Sequence, residues 1–120
     1  NGRAASDVYW YSPDGRFITS SYYRKTLPDW VKTYNAKQFP ASFAGKTWSL
    51  LLPDSAYHEP DSVSIEASGR NFLFPHPLPA DAFDAVNLVR ATPFIDDIVA
   101  DFALNGVRAM ELGAGTRTDL

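Results

Sequence analysis

The sequence predicts an α+β fold in which a β-hairpin is packed by helices, and three observations carry that prediction. Ser12-Pro13-Asp14-Gly15 joins two runs dense in aromatic and β-branched residues, the composition that suits a pleated, half-buried surface. Leu27, Trp30, Val31 and Tyr34 recur at helical spacing, as do Ile95, Ile98, Val99, Phe102, Gly106 and Met110. The 120 residues are 45% hydrophobic and 14% aromatic, enough for one domain spanning 1–120 with a real core.

The hairpin occupies about 8–22, with strands at 8–11 and 17–22. Pro13 presets φ near −65°, and Gly15 supplies the positive φ of a type I turn closed by a glycine bulge. A helix follows over 28–37, with Pro28 at its first position and Asp29 near its positive end, and it stops before Phe39-Pro40. A short strand is expected over 47–51. Residues 54–79 turn irregular, with prolines at 60, 75, 77 and 79; strand character is confined to Val63-Ser64-Ile65 and Asn71-Phe72-Leu73-Phe74, and the run FPHPLP has no place inside a central sheet. Helical pattern returns at 81–90. The longest helix runs from Pro93, capped by Thr92, to Leu112, with Gly113 closing it. Trp30, Ile98 and Phe102 are expected in the core.

Net charge is −3, so the chain lacks the basic field that holds phosphate backbones and no nucleic-acid partner is expected. There is no cysteine, hence no disulfide framework or thiolate metal site. No apolar run approaches the ~20 residues of a membrane span, and the start NGRAASD has no signal-peptide segment. The abrupt ends suggest a piece excised from a larger protein.

Candidate chemistry is sparse. His58-Glu59-Pro60-Asp61 groups an imidazole with carboxylates, but there is no second histidine at i+4 and Pro60 forbids the helix that such zinc ligation uses, so a solvated loop is the favoured reading. His76, between prolines, reads as a residue bonding the backbone of its turn rather than as a base or ligand. Thr19, Ser20 and Ser21 lack a nucleophile-elbow context and read as strand-face hydroxyls. Gly113-Ala114-Gly115 follows a helix instead of opening one, so it caps and does not cradle phosphate. Asp96, Asp97 and Asp101 read as a solvated helix face rather than a divalent-cation set. Tyr9, Trp10, Tyr11, Tyr22, Tyr23, Trp30 and Trp48 form either core or, if exposed, a stacking platform for a ligand such as carbohydrate.

The order of several short motifs resembles bacterial alkaline phosphatases of the type I phosphodiesterase and nucleotide pyrophosphatase family, within the alkaline phosphatase superfamily. Tyr9-Trp10, Gly15, Thr19-Ser20-Ser21-Tyr22-Tyr23, Leu27-Pro28, Trp30-Val31 and Asn35 begin the series. Trp48, Phe74-Pro75-His76, Thr92-Pro93-Phe94, Asp101-Phe102-Ala103, Glu111-Leu112-Gly113 and Thr118-Asp119 continue it. Two departures stand out: Gly2-Arg3 where Gly-His is expected, and Ile95-Asp96 where Gly-Asn is usual.

The resemblance implies a periplasmic or secreted hydrolase of phosphate monoesters, with weaker diesterase activity, that uses two zinc ions and a threonine nucleophile. It implies also that the nucleophile and a Lys-x-Arg clamp lie before this stretch and the zinc ligands after it. No catalytic, cofactor-binding or metal-ligating residue is therefore expected here. The expected partner is the rest of the parent phosphatase chain, with a phosphate ester as the parent's substrate and no zinc bound by this piece. The competing readings are an independent aromatic-faced binding module and a self-contained hydrolase around His58 and Glu59.

Overall fold

A computed structural model of the chain describes residues 5–59, 63, 65 and 73–116. The turn forms as its residues require: the Gly15 N–H donates to the Ser12 carbonyl at 2.9 Å, the Ser12 N–H donates to the Arg16 carbonyl at 2.7 Å, and Gly15 sits at φ +82°. A Cβ on Gly15 would lie 3.0 Å from the Val86 Cβ, so both conformation and space call for glycine. Strand β1 (Trp10–Tyr11) pairs antiparallel with β2 (Phe17–Ile18), Trp10 facing Ile18 and Tyr11 facing Phe17.

The strands are shorter than the expected 8–11 and 17–22. The Thr19 hydroxyl donates to the Val8 carbonyl at 2.6 Å, so a side chain takes over where the backbone ladder stops. Residues 20–23 then form a turn, with the N–H groups of Tyr23 and Arg24 donating to the Ser20 carbonyl. Ser20 and Ser21 are turn residues, not strand-face residues. On the other edge of β2 the Asn35 side chain stands in for a strand: its Oδ1 accepts from the Phe17 N–H and its Nδ2 donates to the Phe17 carbonyl, both at 2.9 Å.

That asparagine comes from α1 (Asp29–Ala36), whose Val31 and Tyr34 are buried; Trp30 of the helix and Leu27, just before it, are partly buried against the same core. Gln38, left-handed at φ 50°, redirects the chain into a 3₁₀ segment (Phe39–Phe43) that buries Pro40 and Phe43. Strand β3 (Thr47–Trp48) stops well before residue 51, leaving Leu51 and Leu52 exposed. Its partner is β4 (His76–Pro77), with Thr47 facing Pro77 and Trp48 facing His76. The proline run thus does pair, within a two-stranded ribbon where an N–H facing outward is not missed. Leu73 and Phe74 form a bend before the cis Phe74–Pro75 peptide rather than a strand. The rest of that expected strand, Asn71 and Phe72, lies outside the described residues, as do Ser64 and Arg3; Ile65 is an exposed turn residue.

Helix α2 (Ala82–Leu88) is capped by Asp81, whose Oδ1 accepts from the Asp84 N–H at 3.1 Å. It tightens into a 3₁₀ turn (Val89–Ala91), and the Thr92 hydroxyl donates back to the Val89 carbonyl at 2.7 Å instead of capping the next helix. Helix α3 (Phe94–Ala109) ends earlier than residue 112. The Leu112 N–H reaches the Val107 carbonyl and the Glu111 N–H the Arg108 carbonyl, a Schellman closure whose left-handed residue is Glu111 at φ 52°. Gly113 adopts a positive φ of 77° two residues later and does not close the helix.

Phe102 is the hub of the core. Its ring stacks on Phe17 at 3.6 Å and 4°, with Tyr9, Trp30 and Tyr34 around it at 5.0 to 5.6 Å between centroids. Ile98, Val31 and Val89 are fully buried beside it. A Cβ on Gly106 would meet the Trp30 ring at 3.2 Å, so glycine lets α1 and α3 approach. Trp30 is half-buried against this core, whereas Ile98 and Phe102 lie inside it.

Candidate functional site

The hairpin turn, the end of α1, the 3₁₀ segment after it and α2 enclose a cleft of about 370 Å³. Its walls are Gly15, Arg16, Asn35, Gln38, Pro40, Phe83 and Val86, among others. Asp14, Arg16 and Asn35 there already have bonding partners. The Arg16 guanidinium is held by Asp14, and the same contact keeps the Asp14 carboxyl below the usual carboxylate range. The Asn35 amide is committed to both backbone groups of Phe17. Beside the cleft the Tyr11 hydroxyl donates to the Val86 carbonyl at 2.7 Å; burial first, then the Asp14 charge, pushes its pKa up to about 12. Apart from Gln38 the remainder is apolar, with exposed Phe83 and buried Val86 and Pro40. This cleft can seat an apolar side chain, and it presents no convergent acid and base.

Sequence reasoning did not single out this cleft. Its glycine was legible as a turn residue, but a left-handed Gln38 carries no sequence signal, and Asn35 looks like any polar residue late in a helix.

The other candidates fall apart from one another. His58 and Glu59 are exposed on the loop after a 3₁₀ turn (Asp54–Ala56), and Pro60 and Asp61 lie outside the described residues. His76 does not bond its turn's backbone: its Nδ1 is buried with no hydrogen-bond partner, and the ring is held between Phe74 at 4.5 Å and Trp48 at 5.1 Å. Asp96 and Asp97 are solvated, as expected, but Asp101 is half-buried and accepts from the Asn105 amide. Asp101 also adds its charge to the burial that raises the Tyr34 pKa. Among the described residues no group of three or more His, Asp or Glu side chains is placed to hold a metal ion. The two-zinc group implied by the resemblance therefore does not fit the described residues.

The aromatics divide. Tyr9, Tyr11 and Trp30 pack on the core, and Trp48 packs on Phe74 and His76 in the second ribbon. Trp10 and Tyr22 are exposed around Tyr23, with Trp10 to Tyr23 at 6.0 Å and Tyr22 to Tyr23 at 4.9 Å. The three tryptophans thus do not share one platform. Asp7, near the same end, pairs with Arg24 and accepts from the Tyr9 hydroxyl at 3.1 Å, and the Arg24 contact holds its carboxyl below the usual range.

No family model matches the chain, and no solved structure matches it. Among curated proteins it is 31% identical over 125 residues to alkaline phosphatase PafA of Elizabethkingia meningoseptica, covering 98% of this chain and 23% of that protein. It is 29% identical over 124 residues to alkaline phosphatase PhoV of Synechococcus elongatus, covering 98% of this chain and 22% of the relative. A Myroides odoratus protein named a calcium-transporting ATPase is 28% identical over 120 residues, which covers 93% of this chain and 22% of that protein. The chain spans less than a quarter of the length of the curated relatives it matches. Along nearly its whole length, then, this chain is a relative of bacterial alkaline phosphatases, corresponding to a stretch of such a protein.

Proposed function

We propose that the chain is a non-catalytic α+β subdomain of a periplasmic or secreted phosphatase that hydrolyses phosphate monoesters, and diesters more weakly. The observation that carries this reading is the match to two named alkaline phosphatases over 98% of the chain. The state of the polar groups supports the non-catalytic part. Hydrolysing a phosphate ester needs a positioned nucleophile and concentrated positive charge on the transferring oxygens. Here Arg16 and Arg24 are engaged by Asp14 and Asp7, Thr19 is engaged by the Val8 carbonyl, and the described histidines lie apart. On this reading the threonine nucleophile and the ligands of two zinc ions belong to the rest of the parent chain, and this stretch shapes the surroundings of that site.

The test is turnover of p-nitrophenyl phosphate by the full-length protein, first with zinc and then with a chelator, beside the 120-residue chain alone. Zinc-dependent turnover by the full-length protein and none by the chain is expected. A full-length protein inert towards phosphate esters removes the phosphatase reading, and zinc-dependent turnover by the chain alone removes its non-catalytic role.

A further inference from the structure

Helix α3 is apolar around far more of its circumference than the described residues cover. At about 100° per residue, Ile95, Ile98, Phe102 and Gly106 form the arc turned to the core. The adjoining arc carries Val99, Ala100, Ala103, Leu104, Val107 and Met110, with Asp96 in the first turn its sole charge. Polar side chains gather on the remaining third or so, at Asp97, Asp101, Asn105 and Arg108. Yet Val99 is 46% exposed, Leu104 54%, Val107 44% and Met110 37%. A surface helix needs one apolar stripe; a helix with two has a second neighbour.

We propose that the face of α3 bearing Val99, Ala103, Leu104, Val107 and Met110 is the surface on which the remainder of the full-length phosphatase chain packs. The occupant follows from length. The relatives are roughly four times as long as this chain, so a protein of that size holds several hundred residues beyond these, more than enough to cover one helix face. This inference rests on the phosphatase reading for the existence of that longer chain, but its test does not use turnover. None of its residues lines the cleft of Arg16 and Phe83, so it is a separate surface.

Met110 is the chain's single methionine and a built-in probe. In the native full-length protein, peroxide oxidation of Met110, read by mass spectrometry of its peptide, is expected to run about tenfold or more slower than in urea, because the covered thioether is out of reach. Val107→Asp in the same protein is expected to lower the melting midpoint by about 5 °C or more, since it buries an unpaired charge, whereas Arg108→Asp, one position round on the polar side, moves it by less than about 2 °C. Free oxidation of native Met110, or a Val107→Asp midpoint equal to the parent's, overturns the proposal. Protection of Met110 that disappears on dilution assigns the face to a second copy and overturns it too. Turnover of p-nitrophenyl phosphate, measured on the same preparation, reports separately on the phosphatase reading: a protein that protects Met110 but hydrolyses nothing keeps this surface and loses that activity.

Discussion

Two ribbons in this molecule look alike on paper and differ in what holds them. Each is a two-residue antiparallel pair, β1 with β2 and β3 with β4. The first is closed by a five-residue loop whose every residue type suits its place, Ser12 to Arg16, and sits on the Phe102 hub. The second is closed by a connection roughly fivefold longer, which adds about 1.5 kcal/mol of loop-closure entropy. It is half-exposed and leans on Leu78, the Gly45 to Pro79 hydrogen bond and its own Trp48, Phe74 and His76 rings. A two-stranded ribbon is marginal alone; what differs is the support beneath it.

Substitutions in the two ribbons test this difference in support. Phe102→Ala should cost about 3–5 kcal/mol, because it removes the ring against which Phe17, Trp30 and Tyr34 pack, whereas Trp48→Ala should cost about 1–2 kcal/mol. Equilibrium urea denaturation of the two variants compares them directly, and equal losses would mean the ribbons are equally supported. Gly15→Ala should cost about 2 kcal/mol, through positive φ and the approach to Val86. The same substitution at Gly45, where φ is also positive but nothing stands within 4 Å, should cost only the backbone share, about 1 kcal/mol.

The support beneath the first ribbon also depends on pH. Tyr11 has its pKa raised from the ordinary 10 to about 12, so its contribution is fully present below pH 10 and is lost as pH rises through 12. Tyr11→Phe should flatten the stability profile over that window and remove about 1 kcal/mol at neutral pH with the Val86 hydrogen bond. The smallest expected effect is a gain: Glu111→Gly should add about 0.5–1 kcal/mol, read as a higher denaturant midpoint, by placing glycine at the left-handed end of α3.

The residues that were legible in the sequence are those whose signal is local. Ser12-Pro13-Asp14-Gly15 specified its turn, Asp29 and the Trp30, Val31, Tyr34 spacing specified α1, and the Ile98, Phe102, Gly106 spacing specified the buried side of α3. What was illegible depends on distant partners. Strand length was set by Thr19 bonding Val8 and by the Asn35 side chain, neither visible in local propensity. The pairing of a proline segment with β3 is a long-range event. At the end of α3 two rules competed, and the Schellman bonds closed on Glu111 although Gly113 stood two residues away. The cleft by Arg16 could not be foreseen because its walls come from four separate segments.

The central functional claim is that this stretch supports a phosphatase without supplying a catalytic group. Its most direct test is kcat for p-nitrophenyl phosphate in the full-length protein carrying His58→Gln, Glu59→Gln, His76→Gln or Asp101→Asn, each compared with the parent after confirming an unchanged circular-dichroism spectrum. The account predicts kcat within about threefold of the parent for all four, since removing a group that takes no part in proton transfer leaves the chemical step intact. A fall of about a hundredfold or more in any one of them, in a folded protein, would place a catalytic residue inside this chain and contradict the account.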